Sequence, residues 1–243
     1  MEYSYIVTGS NGAIGTAVCS RLAASGHQVI AVTRSPHVFH VNDSQRIRNE
    51  VLNSITDELA IFELFQKLRA EGIQVSGLVY GAAVFNRFND LEEISNDNWH
   101  EILNVNVVGA FNWARAFATT CVNDSMRGSI VNITSQAAFT GGYGGVIPYA
   151  ASKGALISMT KGIAREYALH NVRANCVAPG FIETESMRGT LNEAQLEVFF
   201  NRVPMKRFGY VDEVASVVEF LLSSESSYLT GTTIDVTGGQ LMH

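Results

Sequence analysis

YSYIVTGSNGAIGTAVCSRLAAS, residues 3–25, is the stretch on which the fold turns. Its opening, YSYIVTG (3–9), is a short aromatic and β-branched run, the composition of a buried strand. Its end, AIGTAVCSRLAAS (13–25), repeats small and apolar residues at helical intervals. Between them TGSNGAIG (8–15) closes one element and opens the next. A strand, a glycine turn and a helix in that order leave free N–H groups at a helix N-terminus, where a pyrophosphate can rest. Gly9 permits the turn, Gly12 a close backbone approach, and Gly15 tight packing of helix on strand. A glycine triplet alone is a weak signal. Its place between strand and helix makes Gly9, Asn11, Gly12, Ala13, Ile14 and Gly15 a candidate dinucleotide site.

The same alternation continues outward. QVIAVT (28–33) and RIRNEVL (46–52) read as strands, followed by a helix over 57–70 and the strand SGLVYGAA (76–83). A long helix over 98–122 precedes GSIVNITS (128–135), and a helix over 148–170 precedes VRANCVAPG (172–180). A polar segment, a helix over 211–223 and the strand TTIDV (232–236) complete the pattern. Apolar strands separated by helices imply a parallel sheet covered on both faces. The dozen residues after Thr33, starting Arg34-Ser35-Pro36, suit a turn or a single helical turn better than a full crossover helix. The expected fold is α/β, a doubly wound parallel sheet forming one domain over residues 1–243.

Composition narrows the function. The net charge of -6 over 243 residues argues against nucleic acid or an anionic membrane as partner. No secretory leader pattern and no uninterrupted apolar run of membrane-spanning length is present. Cys19, Cys121 and Cys176 are widely spaced, as in a reducing compartment, and His37 and His40 lack further ligands at metal spacing. The chain is expected to be cytoplasmic and metal-free.

YAASK (149–153) sits between the glycine-rich TGGYGG (140–145) and a long apolar stretch. On a helix Tyr149 and Lys153 share one face, one turn apart. The pair is either a phenol whose proton affinity a neighbouring cation lowers, or a solvated surface pair. Spacing alone leaves both open.

Over essentially its whole length the chain resembles the short-chain dehydrogenase/reductase family. Asn106 in ILNVNVVGAF, Ser135 in IVNITS, and Tyr149 with Lys153 match the family's active-site landmarks. NCVAPGFIET, PMKRFG and YLTGTTIDVTGG match its later motifs. Two departures stand out. The phosphate turn reads T-G-x-x-G-x-x-G, with Ala13 where the compact branch has glycine. LVYGAA (78–83) stands where the family has Asn-Asn-Ala-Gly, so Tyr80 and Gly81 replace both asparagines while Ala82 keeps the site small. This puts the motif's support of sheet and cofactor in question.

The resemblance implies an NAD(P)(H)-dependent oxidoreductase that moves a hydride between nicotinamide and a small-molecule carbonyl or secondary alcohol. PMKRFG and the closing GGQLMH look most like the 3-oxoacyl-thioester reductases. Tyr149 would exchange the proton, Lys153 would favour the phenolate and bind ribose, and Ser135 would orient the substrate oxygen. Asn106 would hold a relay water, or else satisfy backbone groups at a helix kink. Gly81, Ala82, Pro179, Gly180, Ile182 and Thr184 would complete the cofactor site, Thr184 at the nicotinamide amide. The second strand ends in Thr33 and Arg34 with no acid before Asp43, which favours NADP(H) over NAD(H). Tyr143, Phe139, Ile147, Phe181 and Met187 flank the site as pocket or packing residues. A homotetramer with helices 98–122 and 148–170 at one interface is expected. The rival is a non-catalytic nucleotide-binding redox sensor or assembly subunit. Altered Tyr80-Gly81 favours it; intact Asn106, Ser135, Tyr149 and Lys153 oppose it.

Overall fold

Among the described residues seven strands form one sheet in the order β3-β2-β1-β4-β5-β6-β7, and every neighbouring pair runs parallel. The computed structural model describes residues 3–41, 43–190 and 192–242, so His243 of the closing run lies outside the described residues. The strands are β1 Ser4–Thr8, β2 Gln28–Thr33, β3 Ile47–Val51, β4 Val75–Tyr80, β5 Gly128–Ile133, β6 Val172–Pro179 and β7 Thr233–Val236. β1 pairs with both β2 and β4, so the chain reverses its winding beside β1. A crevice outside the strands' carboxyl ends is the natural binding place of such a sheet.

Alternation along each strand feeds two cores. Ile6, Ile30, Leu78 and Ile130 face one layer, with α2 Glu58–Ala70, α4 Ala110–Asn123 and α6 Ile147–Tyr167 packed over them. Tyr5, Val7, Val29, Val79 and Val131 face the other, under α1 Ala13–Ala24 and α9 Val211–Leu222. Trp113 is fully buried in the first layer and donates its Nε1 proton to the Ile55 carbonyl at 2.9 Å. Each large apolar side chain so enclosed contributes roughly 1.5–3 kcal/mol of transfer free energy. Helix starts follow sequence chemistry. Asp57 caps α2 by accepting from the Leu59 and Ala60 N–H groups, and Pro148 sits in the first turn of α6, where no N–H is needed.

The expected strands and main helices are present, and the short connection after Thr33 holds one 3-10 turn, Ser44–Arg46. Four features differ. The helix expected over 98–122 runs as α3 Asn96–Leu103, a π-helical turn Asn104–Gly109, and α4. The strand expected to 83 stops at Tyr80, leaving residues 81–83 as loop at the crevice. The polar stretch before 211 contains α7 Glu185–Thr190 and α8 Glu193–Arg202, the latter opened by an Asn192–Gln195 capping box. A further short helix, α5 Ala137–Thr140, follows Ser135.

Candidate active site

Gly9 has φ +66°, and a Cβ there would lie 2.7 Å from the Ala82 nitrogen. A Cβ on Gly15 would lie 2.2 Å from the Gly9 carbonyl oxygen. Only glycine lets the turn, the helix and loop 81–83 meet so closely. Gly12 is the N-cap of α1 and has no side chain to cap it, so the helix N-terminus presents N–H groups and the positive end of its dipole. The Thr8 hydroxyl accepts from the Gly81 N–H at 3.2 Å and the Ala82 N–H at 3.4 Å, tying β1 to the loop after β4. The support expected from asparagine is thus supplied by Thr8 and main chain.

Beyond the turn lies a cleft of about 360 Å³. It brings together Ile14, Gly15, Gly81, Ser135, Tyr149 and Lys153, and on its other side Pro179, Gly180, Ile182 and Thr184. Gly9, Asn11, Gly12, Ala13, Thr33, Arg34 and Ala82 do not line it; they belong to the turn, the loop against it and the end of β2. Ser10 donates its hydroxyl proton to the Val32 carbonyl at 3.2 Å, which holds the turn against β2. Gly180 donates to the Val236 carbonyl at 2.9 Å, and the 181–183 strip bonds both faces of Gly209. Those bonds fix the Pro-Gly motif beside the PMKRFG segment, where Arg207 forks onto Glu213 at 2.8 and 2.5 Å.

Ser135 and Tyr149 both line the cleft, the Ser135 hydroxyl near enough to Tyr149 to favour its phenolate. Lys153, buried on the same helix face, donates to the Ile133 carbonyl at 2.7 Å, with Nζ 5.5 Å from the Tyr149 ring centre. The surface-pair reading is therefore excluded. The electrostatics correct one expectation. Burial dominates and pushes the Tyr149 phenol up to about 12, opposed by the neighbouring Ser135 hydroxyl. Burial also draws Lys153 down to about 8. Lys153 is not what governs the phenol; desolvation is.

Asn106 is fully buried and does not line the cleft. Its Oδ1 accepts from the Val84 N–H at 2.7 Å, and its Nδ2 donates to the Val84 carbonyl at 3.0 Å and to the Ser152 hydroxyl at 2.9 Å. Of the two readings, satisfying backbone groups at an irregular helix is what the side chain does. A relay water would fall to its main chain.

Tyr143, Phe181 and Met187 line the cleft, whereas Phe139 and Ile147 do not and are exposed. Sequence reading missed Phe85, Arg87, Gln136 and Phe199, which also line it. Phe85 packs edge-on against Tyr149 with ring centres 4.9 Å apart, and Phe199 stacks on Phe181 at 4.4 Å. The available signal for Phe85 and Arg87 was their place just after β4, at the crevice. Phe199 carried none, because α8 itself was not foreseen.

A doubly wound parallel sheet, an uncapped helix N-terminus at its switch point, and a buried Tyr-Lys pair beside a serine define a nicotinamide-dependent oxidoreductase. A family model described as "Enoyl-(Acyl carrier protein) reductase" matches residues 9–240. The chain belongs to the short-chain dehydrogenase/reductase family. It is 35% identical to the 3-oxoacyl-[acyl-carrier-protein] reductase FabG of Escherichia coli (strain K12), over 98% of this chain and 96% of that one. The FabG of Thermotoga maritima is 36% identical, over 96% of each. A solved structure described as "ElxO with NADP Bound" superposes with a TM-score of 0.89 over 99% of both chains, at 26% identity.

The site's own geometry fits such a cofactor. The α1 N-terminus is free for pyrophosphate, the loop beside it carries only Gly81, Ala82 and Ala83, and Arg34 has no ion-pair partner among the described residues.

Proposed function

We propose that the protein reduces 3-oxoacyl thioesters to 3-hydroxyacyl thioesters with NADPH. Bound NADPH would supply the hydride to the carbonyl carbon. Tyr149 donates the proton that the carbonyl oxygen takes up, and Ser135 hydrogen-bonds that oxygen and orients it. Lys153 holds the nicotinamide ribose. Arg34 meets the 2′-phosphate, the α1 N-terminus the pyrophosphate, and Thr184 the nicotinamide amide. The kinship to two FabG proteins supports the thioester reading. The observation in the cleft that carries it is Arg87. It is exposed at the cleft, beside Gly144, and has no ion-pair partner among the described residues. Among the described residues Arg87 and Lys153 are the only charged ones in the cleft's lining, which leaves Arg87 to meet the phosphate that acyl carrier protein and coenzyme A carry on their thiol arms.

The test follows NADPH oxidation against 3-oxoacyl thioesters and neutral ketones of equal acyl length. The thioester is expected to lead in kcat/KM by roughly tenfold or more, and Arg87→Gln to close most of that gap, as loss of a charged contact would. Neutral ketones preferred by wild type would reject the thioester assignment. Silence with every carbonyl would leave the redox sensor.

The proposal extends to a cytoplasmic homotetramer of one-domain subunits spanning residues 1–243. Buried, free Cys19, Cys121 and Cys176 suit a reducing compartment. Val108 in the π turn, Phe111 on α4 and Ile147 at the start of α6 expose apolar surface that a symmetry mate would cover. Light scattering at micromolar concentration is expected to give four times the chain mass; a monomer there would end the assembly proposal.

A further inference from the structure

We propose that Tyr80, the residue replacing the family's asparagine, is a positioning residue of the catalytic centre. Its buried hydroxyl holds the π-helical turn that seats Asn106, and through Asn106 it fixes Val84 and the helix carrying Tyr149. The proposal rests on the assignment of proton transfer to Tyr149 made above.

Tyr80 is the last residue of β4 and is fully buried among the apolar side chains of the first core layer. Its hydroxyl donates to the Val105 carbonyl at 2.6 Å. Burial pushes the phenol's pKa up, so the group remains a donor at any working pH. A buried hydroxyl needs an acceptor. A regular α-helix offers a poor one, since each carbonyl is already engaged by the N–H four residues on. Val105 lies inside the Asn104–Gly109 turn, where the wider π spacing disturbs that ladder. Gly109 completes the fit. A Cβ there would lie 2.5 Å from the Tyr80 hydroxyl and 3.1 Å from Thr56 Cγ2, so no side chain can share the space.

Asn106 follows Val105 directly, and its three side-chain hydrogen bonds clamp Val84 and Ser152. Each clamp leads to the reacting group. Phe85, next to Val84, supports the Tyr149 ring edge-on at 4.9 Å. Ser152 donates to the Tyr149 carbonyl at 2.7 Å. From the Tyr80 hydroxyl to Tyr149 every link is a covalent neighbour, a hydrogen bond or a ring contact. Replacement of the first asparagine therefore leaves no gap in the site: the phenol reaches across to the irregular helix and sets it from the sheet side.

Tyr80→Phe keeps the packing and deletes only the hydroxyl. We expect kcat to fall roughly ten- to a hundredfold, as small misplacements of a reacting group do. KM for NADPH should stay within about twofold, because the cofactor-binding turn is untouched. Amide hydrogen exchange at Val84 should accelerate. Gly109→Ala should reproduce this pattern by pushing the phenol away, and it carries the test if Tyr80→Phe does not fold. In the double variant the new methyl no longer meets an oxygen, so the losses should not add. Unchanged Val84 exchange with kcat within about twofold of wild type, or fully additive losses, would overturn the proposal. The exchange measurement needs no turnover. A wild type inactive on every carbonyl would therefore reject the functional reading alone, and the positioning network would still be decided.

Discussion

Tyr149→Phe is expected to lower kcat by about 10²- to 10⁴-fold, the usual contribution of a positioned acid or base. The NADPH dissociation constant should change by no more than about twofold, since only a hydroxyl is removed. The phenylalanine ring can keep its edge-on contact with Phe85, so the loss would report chemistry and not collapse of the wall. Lys153→Ala should damage both kcat and cofactor affinity, because the proposed mechanism has Lys153 hold the nicotinamide ribose beside the Tyr149 ring. The pH dependence separates the two directions of reaction. Burial holds Tyr149 protonated through the neutral range, with its pKa pushed up to about 12. Its proton is then available for carbonyl reduction, whereas alcohol oxidation must remove it and should quicken as pH rises. Lys153 is cationic below about 8, and its charge is lost as pH climbs through that value. Reduction measured as kcat/KM, which follows the free enzyme, should therefore decline above about pH 8. A Tyr149→Phe variant retaining a tenth of the wild-type kcat would end the acid/base assignment.

What the sequence made legible was local. The turn between β1 and α1 shows itself because strand, glycines and helix are adjacent in the chain, and YAASK shows itself because one helical turn spans it. The sites that escaped reading depend on distant partners. Asn106 meets Val84 across 22 positions and Ser152 across 46, so nothing near Asn106 announces its hydrogen bonds. The π turn at Asn104–Gly109 interrupts a helix whose apolar spacing reads as continuous, and its partner Tyr80 lies 25 residues upstream. The change of Asn-Asn to Tyr-Gly was visible, but its meaning was not, because a buried phenol can be judged only with its acceptor in view. Lys153 shows the same limit in electrostatics. Spacing places a cation near Tyr149, while the burial that dominates both groups is a property of the closed core.

Arg34→Ala is expected to cost NADPH about one to two decades in kcat/KM, the equivalent of a charge-assisted hydrogen bond worth roughly 1.5–3 kcal/mol. NADH, which lacks the 2′-phosphate, should lose little, and the wild type should prefer NADPH. The end of β2 supplies the reason. No acid lies between Gln28 and Asp43, so nothing there selects a ribose hydroxyl over a phosphate. The neighbouring Thr33 is buried and its hydroxyl donates to the Ser35 carbonyl, so it is not turned to a ligand. Recognition is therefore expected to fall chiefly to Arg34, which is exposed and whose guanidinium has the fork that suits phosphate. The connection beyond it is anchored. His37 is clipped to Asn49 by bonds of 3.2 and 3.0 Å, its ring reaches Thr16 of α1 at 3.4 Å, and Phe39 is buried. That anchoring confines the Arg34 backbone near the turn, so the guanidinium need order only its own side chain to reach the ligand. Steady-state kinetics with both cofactors, for wild type and Arg34→Ala, decides the matter. Equal losses with NADPH and NADH, or a wild type that prefers NADH, would show that the arginine is solvated surface and that another group reads the ribose.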